Sequence, residues 1–138
     1  MKIIFLCKYN AFRSRVAEYY FKKINRNRNI QVISRGLIMG GAPDRVQLDI
    51  VEKVLNINIG NRKSKPIKLK EMIESDMIIV VANDIPKVMF NYEPINLDKK
   101  LVFWNIKDEQ LQNKENIKCI VLSIKEKVNQ LNKKLEKK

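Results

Sequence analysis

The chain has 138 residues and carries 28 lysines and arginines against 15 aspartates and glutamates, which gives a formal net charge of +13 at pH 7. It has no histidine, which excludes a histidine base and histidine metal ligands, and its two cysteines are too few for a disulfide framework. The length fits one domain, spanning residues 1–138, and no apolar run is long enough to cross a membrane. Because no secretory signal is recognisable either, we expect a cytoplasmic protein without a membrane partner.

The positive charge is compatible with more than one role. The basic residues are spread along the chain, with no groove-reading motif and no interleaving of aromatic and basic side chains, so we expect no nucleic-acid partner. A solvated surface accounts for most of the charge, and electrostatic steering of an anionic substrate is the alternative.

The first half of the chain predicts two strands and two helices. An apolar run at residues 2–6 predicts the first strand, and residues 13–26 carry apolar side chains at helical spacing. Residues 30–34 predict the second strand, which leads through Ser34-Arg35-Gly36 into an apolar segment with two glycines. Ala42-Pro43-Asp44 then has the residue types that open a helix.

The second half continues the alternation of strands and helices. A short helix is predicted over residues 69–74, the most apolar strand over 76–81, a brief helix over 85–90 and a fourth strand over 101–104. The last helix begins near residue 113 and carries a long apolar stripe. This alternation predicts a parallel sheet with right-handed crossovers, in which ligands bind beyond the carboxyl ends of the strands.

The junction between the first strand and the first helix carries the clearest chemical signal. Cys7 ends the strand, and Arg13 and Ser14 follow after five loop residues. Such a loop directs backbone N–H groups and the positive end of a helix dipole at one small anion site, where Arg13 can grip an oxyanion bidentately. A thiol in that field should ionise easily and act as a nucleophile. The alternative is that Cys7 is a small buried apolar residue at the end of a core strand.

This stretch resembles the low-molecular-weight protein tyrosine phosphatases and the arsenate reductases that share their fold. The family pattern C-x-G-N-x-C-R-S-x-x-A-E is matched by Cys7, Asn10, Arg13-Ser14 and Ala17-Glu18. Tyr9 stands where the family usually has glycine, and Phe12 replaces the second cysteine of many members. The resemblance, together with the alternation above, implies an α/β three-layer sandwich. In it a four-stranded parallel sheet is flanked by helices, with a phosphate-binding loop after the first strand.

The resemblance also implies a role for each residue of this loop. Cys7 would attack phosphorus, Ser14 would donate a hydrogen bond to the thiolate, and Asn10 would hold the loop because it tolerates left-handed backbone angles. The oxygens of the phosphoryl group would be held by the Arg13 guanidinium and by backbone amides. The residues expected to bind phosphate are Lys8, Tyr9, Asn10, Ala11, Phe12 and Arg13.

A general acid is expected after the fourth strand. Trp104 and Asp108 match the spacing of the family's W-x-x-x-D-P segment, with Glu109 in place of the proline and as the rival acid. Such a carboxylate protonates the leaving oxygen and then takes a proton from the attacking water. Read without the loop, Asp108 is a turn or helix-capping residue. The family's usual aromatic pair after the acid is missing, since Gln110 and Leu111 follow Glu109.

The reaction expected from these residues is metal-free hydrolysis of phosphate monoesters through a phosphocysteine, without a cofactor. The partners expected are a phosphorylated protein, with phosphotyrosine first, or a small phosphoester, and phosphate, sulfate and arsenate are expected to compete. Phosphoarginine protein also remains open.

Three alternatives stay open: an arsenate reductase, a phosphocysteine carrier and a non-catalytic phosphate-binding protein. An internal thiol relay for arsenate reduction is disfavoured because residues 82–86 contain no cysteine and Cys119 falls off the apolar stripe of the last helix. An arsenate reductase using an external thiol remains possible. The others are a phosphocysteine carrier, against which Arg13 and Asp108 argue, and a non-catalytic phosphate-binding protein.

Overall fold

The computed structural model describes residues 1–91, 95–108 and 113–137. Four parallel strands form one sheet in the order β2-β1-β3-β4. The strands are β1 (Lys2–Cys7), β2 (Gln31–Gly36), β3 (Met77–Val80) and β4 (Leu101–Phe103). The helices are α1 (Arg13–Ile24), α2 (Arg45–Leu55), α3 (Leu69–Glu74) and α4 (Lys114–Glu136), with short 3₁₀ turns at Lys87–Phe90 and Asp98–Lys100.

The two inner strands, β1 and β3, are apolar because both faces of the sheet are covered. Successive side chains of β1 alternate between the faces: Ile3 and Phe5 belong to a core shared with α1, α2 and α4. Leu6, next along the strand, belongs to a second core on the opposite face with Met72 of α3 and Phe90. Helices therefore lie on both sides of the sheet, which confirms the expected three-layer α/β fold.

The helix ends follow from local sequence. Asp44 precedes α2 and forms a capping box with Gln47, whose backbone N–H lies 2.8 Å from the Asp44 carboxylate. Asn113 accepts a hydrogen bond from the Asn116 backbone at the start of α4. The first turn of α1 has no side-chain cap, so its N-terminal N–H groups face the loop that precedes it.

The predicted strands and the four α-helices are confirmed in order, with shifted ends, whereas the brief helix predicted over residues 85–90 is a 3₁₀ turn at Lys87–Phe90. Helix α3 has the predicted bounds, whereas α1 ends at Ile24, two residues early. Strand β2 runs on to Gly36 because Cys7 pairs with Gly36 and the Gly36 N–H donates to the Lys65 carbonyl at 2.8 Å. None of the helices in the described ranges has the length and apolarity needed to cross a membrane.

Candidate active site

Strand β1 and helix α1 are joined by a five-residue loop, residues 8–12, at the carboxyl edge of the sheet. We call residues Cys7 to Ser14 the phosphate loop. Within the described part of the chain, the backbone N–H groups of residues 8–12 donate to no acceptor. A row of unpaired N–H groups ahead of a helix N-terminus is a receptor for an anion.

The direction of these N–H groups is set by bonds to the carbonyls of the same loop. The carbonyl of Cys7 accepts from Leu37 N–H at 2.9 Å and that of Lys8 from Ile38 N–H at 3.0 Å. Because a trans peptide is planar, its C=O and N–H point in opposite directions. The N–H groups of Lys8 and Tyr9 are therefore turned away from the segment that follows β2, toward the interior of the loop.

Asn10 has a backbone φ of 55° and is fully buried, which confirms the expected left-handed conformation at this position. Tyr9 is not among the residues with positive φ, so the loop forms without the family's usual glycine. Glycine is instead required at two positions that pack against Tyr9, Gly36 and Gly40. A Cβ on Gly36 would come within 2.8 Å of the Tyr9 backbone, and one on Gly40 within 2.5 Å of the Tyr9 Cβ.

A buried network of side chains holds Asn10 in place. The Asn10 Nδ2 atom donates to Ser14 Oγ at 2.8 Å and to Ser34 Oγ at 3.0 Å, while Ser34 donates to Glu18. Arg62 completes the network from the loop before α3, with donors to Asn10 Oδ1 at 3.3 Å and to Ser34 Oγ at 3.1 Å. The network joins β2, α1 and the phosphate loop through hydrogen bonds.

Cys7 lies at the bottom of the phosphate loop and is 2% exposed. Its Sγ lies 3.1 Å from the Oγ of fully buried Ser14, which in turn accepts from Asn10. A hydroxyl at this distance can donate to a thiolate, since its one proton is not committed to Asn10. Cys7 and Ser14 are thus in contact.

Arg13 lies at the other end of the loop and is 3% exposed. Its Nη1 donates to the carbonyl of Ile106 at 2.9 Å, and its Nη2 donates to Asp84 at 3.2 Å and lies 3.8 Å from Asp108. The guanidinium is therefore fixed between two carboxylates and a main-chain carbonyl.

Asp108 lies beside the phosphate loop through this contact with Arg13, and its side chain is 29% exposed. The rival acid, Glu109, and the two residues after it lie outside the described residues. Asp108 also lines a cavity of about 440 Å³ between the segment after β4 and helix α4. Cys119 lies on the α4 side of this cavity and is exposed, as its position off the apolar stripe predicted.

Sequence reasoning missed Asp84, Arg62 and Arg15. Asp84 follows β3, whose end lies beside the end of β1, so a carboxylate just after the most apolar strand was a usable signal. Arg62 belongs to an irregular loop and gave no signal. Arg15 is fully buried on α1 and donates to the Asn10 carbonyl from Nε at 3.2 Å and from Nη2 at 2.9 Å.

No group of three or more potential ligands among the cysteines, aspartates and glutamates is arranged to hold a metal ion in the described ranges. The groups that the site itself presents are a thiol, carboxylates, arginines and backbone N–H groups.

The sequence matches a protein-family description, low molecular weight phosphotyrosine protein phosphatase, over residues 2–138. A search of curated proteins gives no significant match.

Solved structures of the same fold are similar over almost their whole length. A YwlE arginine phosphatase, a Cys-to-Ser mutant with a phosphorylated active-site serine, is 22% identical with a TM-score of 0.85, covering 99% of this chain and 97% of that one. A low molecular weight phosphotyrosine phosphatase from Vibrio cholerae is 19% identical with a TM-score of 0.85, at the same coverage. An arsenate reductase in a phosphate-binding state is 25% identical with a TM-score of 0.77, covering 96% of this chain and 97% of that one.

The family match covers nearly the whole chain, and its Cys-x5-Arg-Ser loop is present with the cysteine, arginine and serine in one buried site. The chain therefore belongs to the low molecular weight phosphotyrosine protein phosphatase family, and it is a protein-tyrosine-phosphatase-like phosphoric monoester hydrolase.

Proposed function

We propose that this enzyme hydrolyses phosphate monoesters, with phosphotyrosine protein as its first substrate class, through a phosphocysteine intermediate and without a metal. The observation that carries the proposal is the Cys7–Ser14 contact of 3.1 Å at the bottom of a loop whose N–H groups are unpaired within the described residues. A nucleophile, its hydrogen-bond donor and an anion receptor occupy the same few residues.

In the first step the Cys7 thiolate attacks phosphorus, the P–S bond forms and the P–O bond to the leaving group breaks. The backbone N–H groups of residues 8–12 and the Arg13 guanidinium hold the equatorial oxygens, which stabilises the charge of the transition state. To reach a phosphoryl group Arg13 needs no large movement, because the contacts with Asp84 and Ile106 already hold its side chain beside the loop.

Asp108 is the proposed general acid. It would protonate the departing oxygen and, in the second step, accept a proton from the water that hydrolyses the phosphocysteine. Two observations support this role: the Asp108 carboxylate lies 3.8 Å from the Arg13 guanidinium, and its side chain is 29% exposed, which leaves a path for water. Ser14 would donate a hydrogen bond to the Cys7 sulfur as the thiolate leaves.

Two classes of phosphorylated protein are candidate substrates. A solved structure of similar fold is described as an arginine phosphatase, which makes phosphoarginine protein the second candidate. Phosphate, sulfate and arsenate are expected to compete for the same loop. A reducing cytoplasm would keep Cys7 as a free thiol.

Arsenate reduction with an external thiol is a second candidate activity, favoured by the similarity to an arsenate reductase. Arsenate would occupy the phosphate loop and form an As–S bond with Cys7 while one As–O bond breaks and water leaves; an external thiol would then attack the Cys7 sulfur, forming a mixed disulfide as arsenite departs. Cys119 lies exposed on α4, and residues 82–86 beside the loop contain no thiol, so an external thiol would have to supply the electrons.

The deciding experiment is hydrolysis of para-nitrophenyl phosphate by the wild type and Cys7→Ser, in EDTA with fresh reductant. We expect turnover by the wild type and none by Cys7→Ser, while inorganic phosphate binds both. Turnover by neither protein, with phosphate still bound, would contradict the hydrolase and favour a phosphocysteine carrier or a phosphate-binding protein. Thiol-dependent reduction of arsenate in place of hydrolysis would favour the second candidate.

A further inference from the structure

Among the residues that the structure describes, Arg15 is the largest fully buried side chain for which the proposed reaction has no role. It follows Ser14 on α1, at a position that the family motif leaves open. Its Nε and Nη2 both donate to one acceptor, the carbonyl oxygen of Asn10, at 3.2 and 2.9 Å. We propose that Arg15 is a positioning residue: it fixes the Asn10–Ala11 peptide so that the Ala11 N–H faces the phosphate site, and it adds a buried positive charge beneath that site.

The orientation of the peptide follows from its planarity. The C=O of Asn10 and the N–H of Ala11 belong to one trans peptide and point in opposite directions. Because Arg15 holds the C=O in the protein interior, the Ala11 N–H is turned toward the loop's hollow. Asn10 adopts the left-handed region, where a peptide has few alternatives, and the guanidinium selects one of them.

Arg15 orients the peptide at the helix end of the loop, and the segment after β2 orients the peptides at the strand end. The carbonyls of Cys7 and Lys8 are held by backbone N–H groups of Leu37 and Ile38, which continue the strand. Asn10 lies beyond the reach of that ladder, so its carbonyl needs a donor from a side chain. A guanidinium with two N–H groups on one oxygen is a stronger constraint than a single neutral donor.

The charge of Arg15 also supports a role at the phosphate site. No carboxylate among the described residues forms an ion pair with it, and its Nη1 is buried without a hydrogen-bond partner there. Burial first, and then the nearby Arg62, hold the pKa of Arg15 below its ordinary value, while Tyr19, Glu18 and Cys7 act in the opposite direction. A guanidinium nevertheless stays protonated in proteins.

An incompletely paired buried cation is costly, and anionic groups above it reduce that cost. Besides the Glu18 carboxylate, which pairs with Lys22 and Arg62, the anions near this position are the Cys7 thiolate and a bound phosphoryl group. Stabilisation between two charges is mutual, so Arg15 favours both of them. This inference rests on the proposed role of the loop as a phosphate site.

The test compares phosphate binding by the wild type, Arg15→Met and Arg15→Lys, with Lys23→Met as the matched control. Lys23 is a cation on the same helix whose ammonium also donates to a main-chain carbonyl, that of Leu55 at 2.7 Å, away from the loop. We expect phosphate affinity to fall about 10- to 100-fold in Arg15→Met, the range for losing a hydrogen bond to a charged group. Arg15→Lys keeps the charge and loses the two-donor contact, so it should lose about three- to tenfold.

A purely structural role would lower the melting temperature of Arg15→Met and leave its phosphate affinity unchanged, which would overturn the proposal. An equal loss of affinity in Lys23→Met would also overturn it, because net charge alone would then explain the effect. If Arg15→Met does not fold, Arg15→Lys decides: unchanged affinity contradicts the proposal.

Amide NMR spectra of labelled protein supply a readout that needs no turnover. In the wild type, phosphate should shift the Ala11 amide strongly, together with those of Lys8 and Tyr9. In the Arg15 variants the Ala11 shift should be lost while the other two persist, and an unchanged Ala11 shift would contradict the assigned orientation. If the wild type binds no phosphate, the proposed function itself fails; if it binds and the variants match it, only the role of Arg15 fails.

Discussion

The phosphate loop and the segment that carries Asp108 meet at Arg13, but they are held in very different ways. Four side chains of the phosphate loop are buried: Cys7, Asn10, Arg13 and Ser14. The Asn10 side chain by itself has hydrogen-bond partners on three segments, α1, β2 and the loop before α3. The segment after β4 is anchored at Ile106, whose side chain is buried in the core and whose carbonyl accepts from Arg13 and from Asn83 N–H at 2.9 Å. Asp108, two residues later, is partly exposed.

This difference in anchoring matches the different demands of the two proposed functions, phosphate binding with attack by Cys7 and proton transfer by Asp108. Binding and nucleophilic attack require fixed geometry, since misplaced donors stabilise a transition state poorly. Proton transfer requires contact with water and with leaving groups of many sizes, and the partly exposed Asp108 is the carboxylate proposed to meet that need. We therefore expect changes on the two sides of Arg13 to have different kinetic signatures.

Among the variants that compare the two regions, the largest effect is expected from Asp108→Asn, and it should depend on the leaving group. For aryl phosphates with poor leaving groups, kcat should fall by about 10²–10⁴-fold, the range for loss of a general acid. For good leaving groups, which depart without protonation, the change should be small. The measurement is kcat across a series of aryl phosphates of graded leaving-group acidity. Glu109→Gln is the control. If Glu109→Gln shows this dependence on the leaving group and Asp108→Asn changes kcat little, Glu109 is the general acid.

A change on the loop side should affect all substrates alike. Gly36→Ala puts a Cβ within 2.8 Å of the backbone of Tyr9 and of the Ile38 carbonyl, so the phosphate loop must shift. We expect a loss of about 1–3 kcal/mol in the free energy of unfolding, typical of overpacking, and a fall in kcat/KM independent of the leaving group.

Gly41→Ala is the matched control for this prediction, because nothing lies within 4 Å of a Cβ there. Chemical unfolding and phosphatase assays on both variants are the measurements. If Gly36→Ala lowers kcat/KM more for poor leaving groups than for good ones, the loop also affects proton transfer, which would contradict the separate roles of the two regions.

The smallest effect concerns the charge of the whole molecule. If the net charge of +13 steers anionic substrates, kcat/KM should fall roughly three- to tenfold between low salt and about 0.5 M salt, while kcat stays nearly constant. The assay uses a salt whose anion does not compete for the loop. A kcat/KM insensitive to ionic strength would assign the positive charge to solvation of the surface.

The sequence was informative where structure is local. The apolar run before Cys7, the spacing to Arg13 and the positive φ of Asn10 all follow from residues within one strand, one loop and one helix. Helix α3 was predicted to the residue because its pattern is short and bounded by polar segments.

Contacts between distant segments could not be predicted in the same way. Arg13 and Asp84 are 71 residues apart and meet because β1 and β3 are neighbours in the sheet. The extension of β2 to Gly36 depends on Lys65 from another loop, and the position of Arg62 depends on the path of that loop. No periodicity in the sequence encodes such pairings.

The burial of Phe12 has a consequence for the lifetime of the enzyme. This residue is 5% exposed and packs into the core where many relatives of the resembled family carry a second thiol. A sulfenic acid formed on Cys7 by peroxide therefore meets no cysteine within its own loop with which to condense, and further oxidation to sulfinic and sulfonic acids is irreversible. Recovery from an oxidative burst would depend on small thiols of the surroundings reaching the sulfur before a second equivalent of oxidant does.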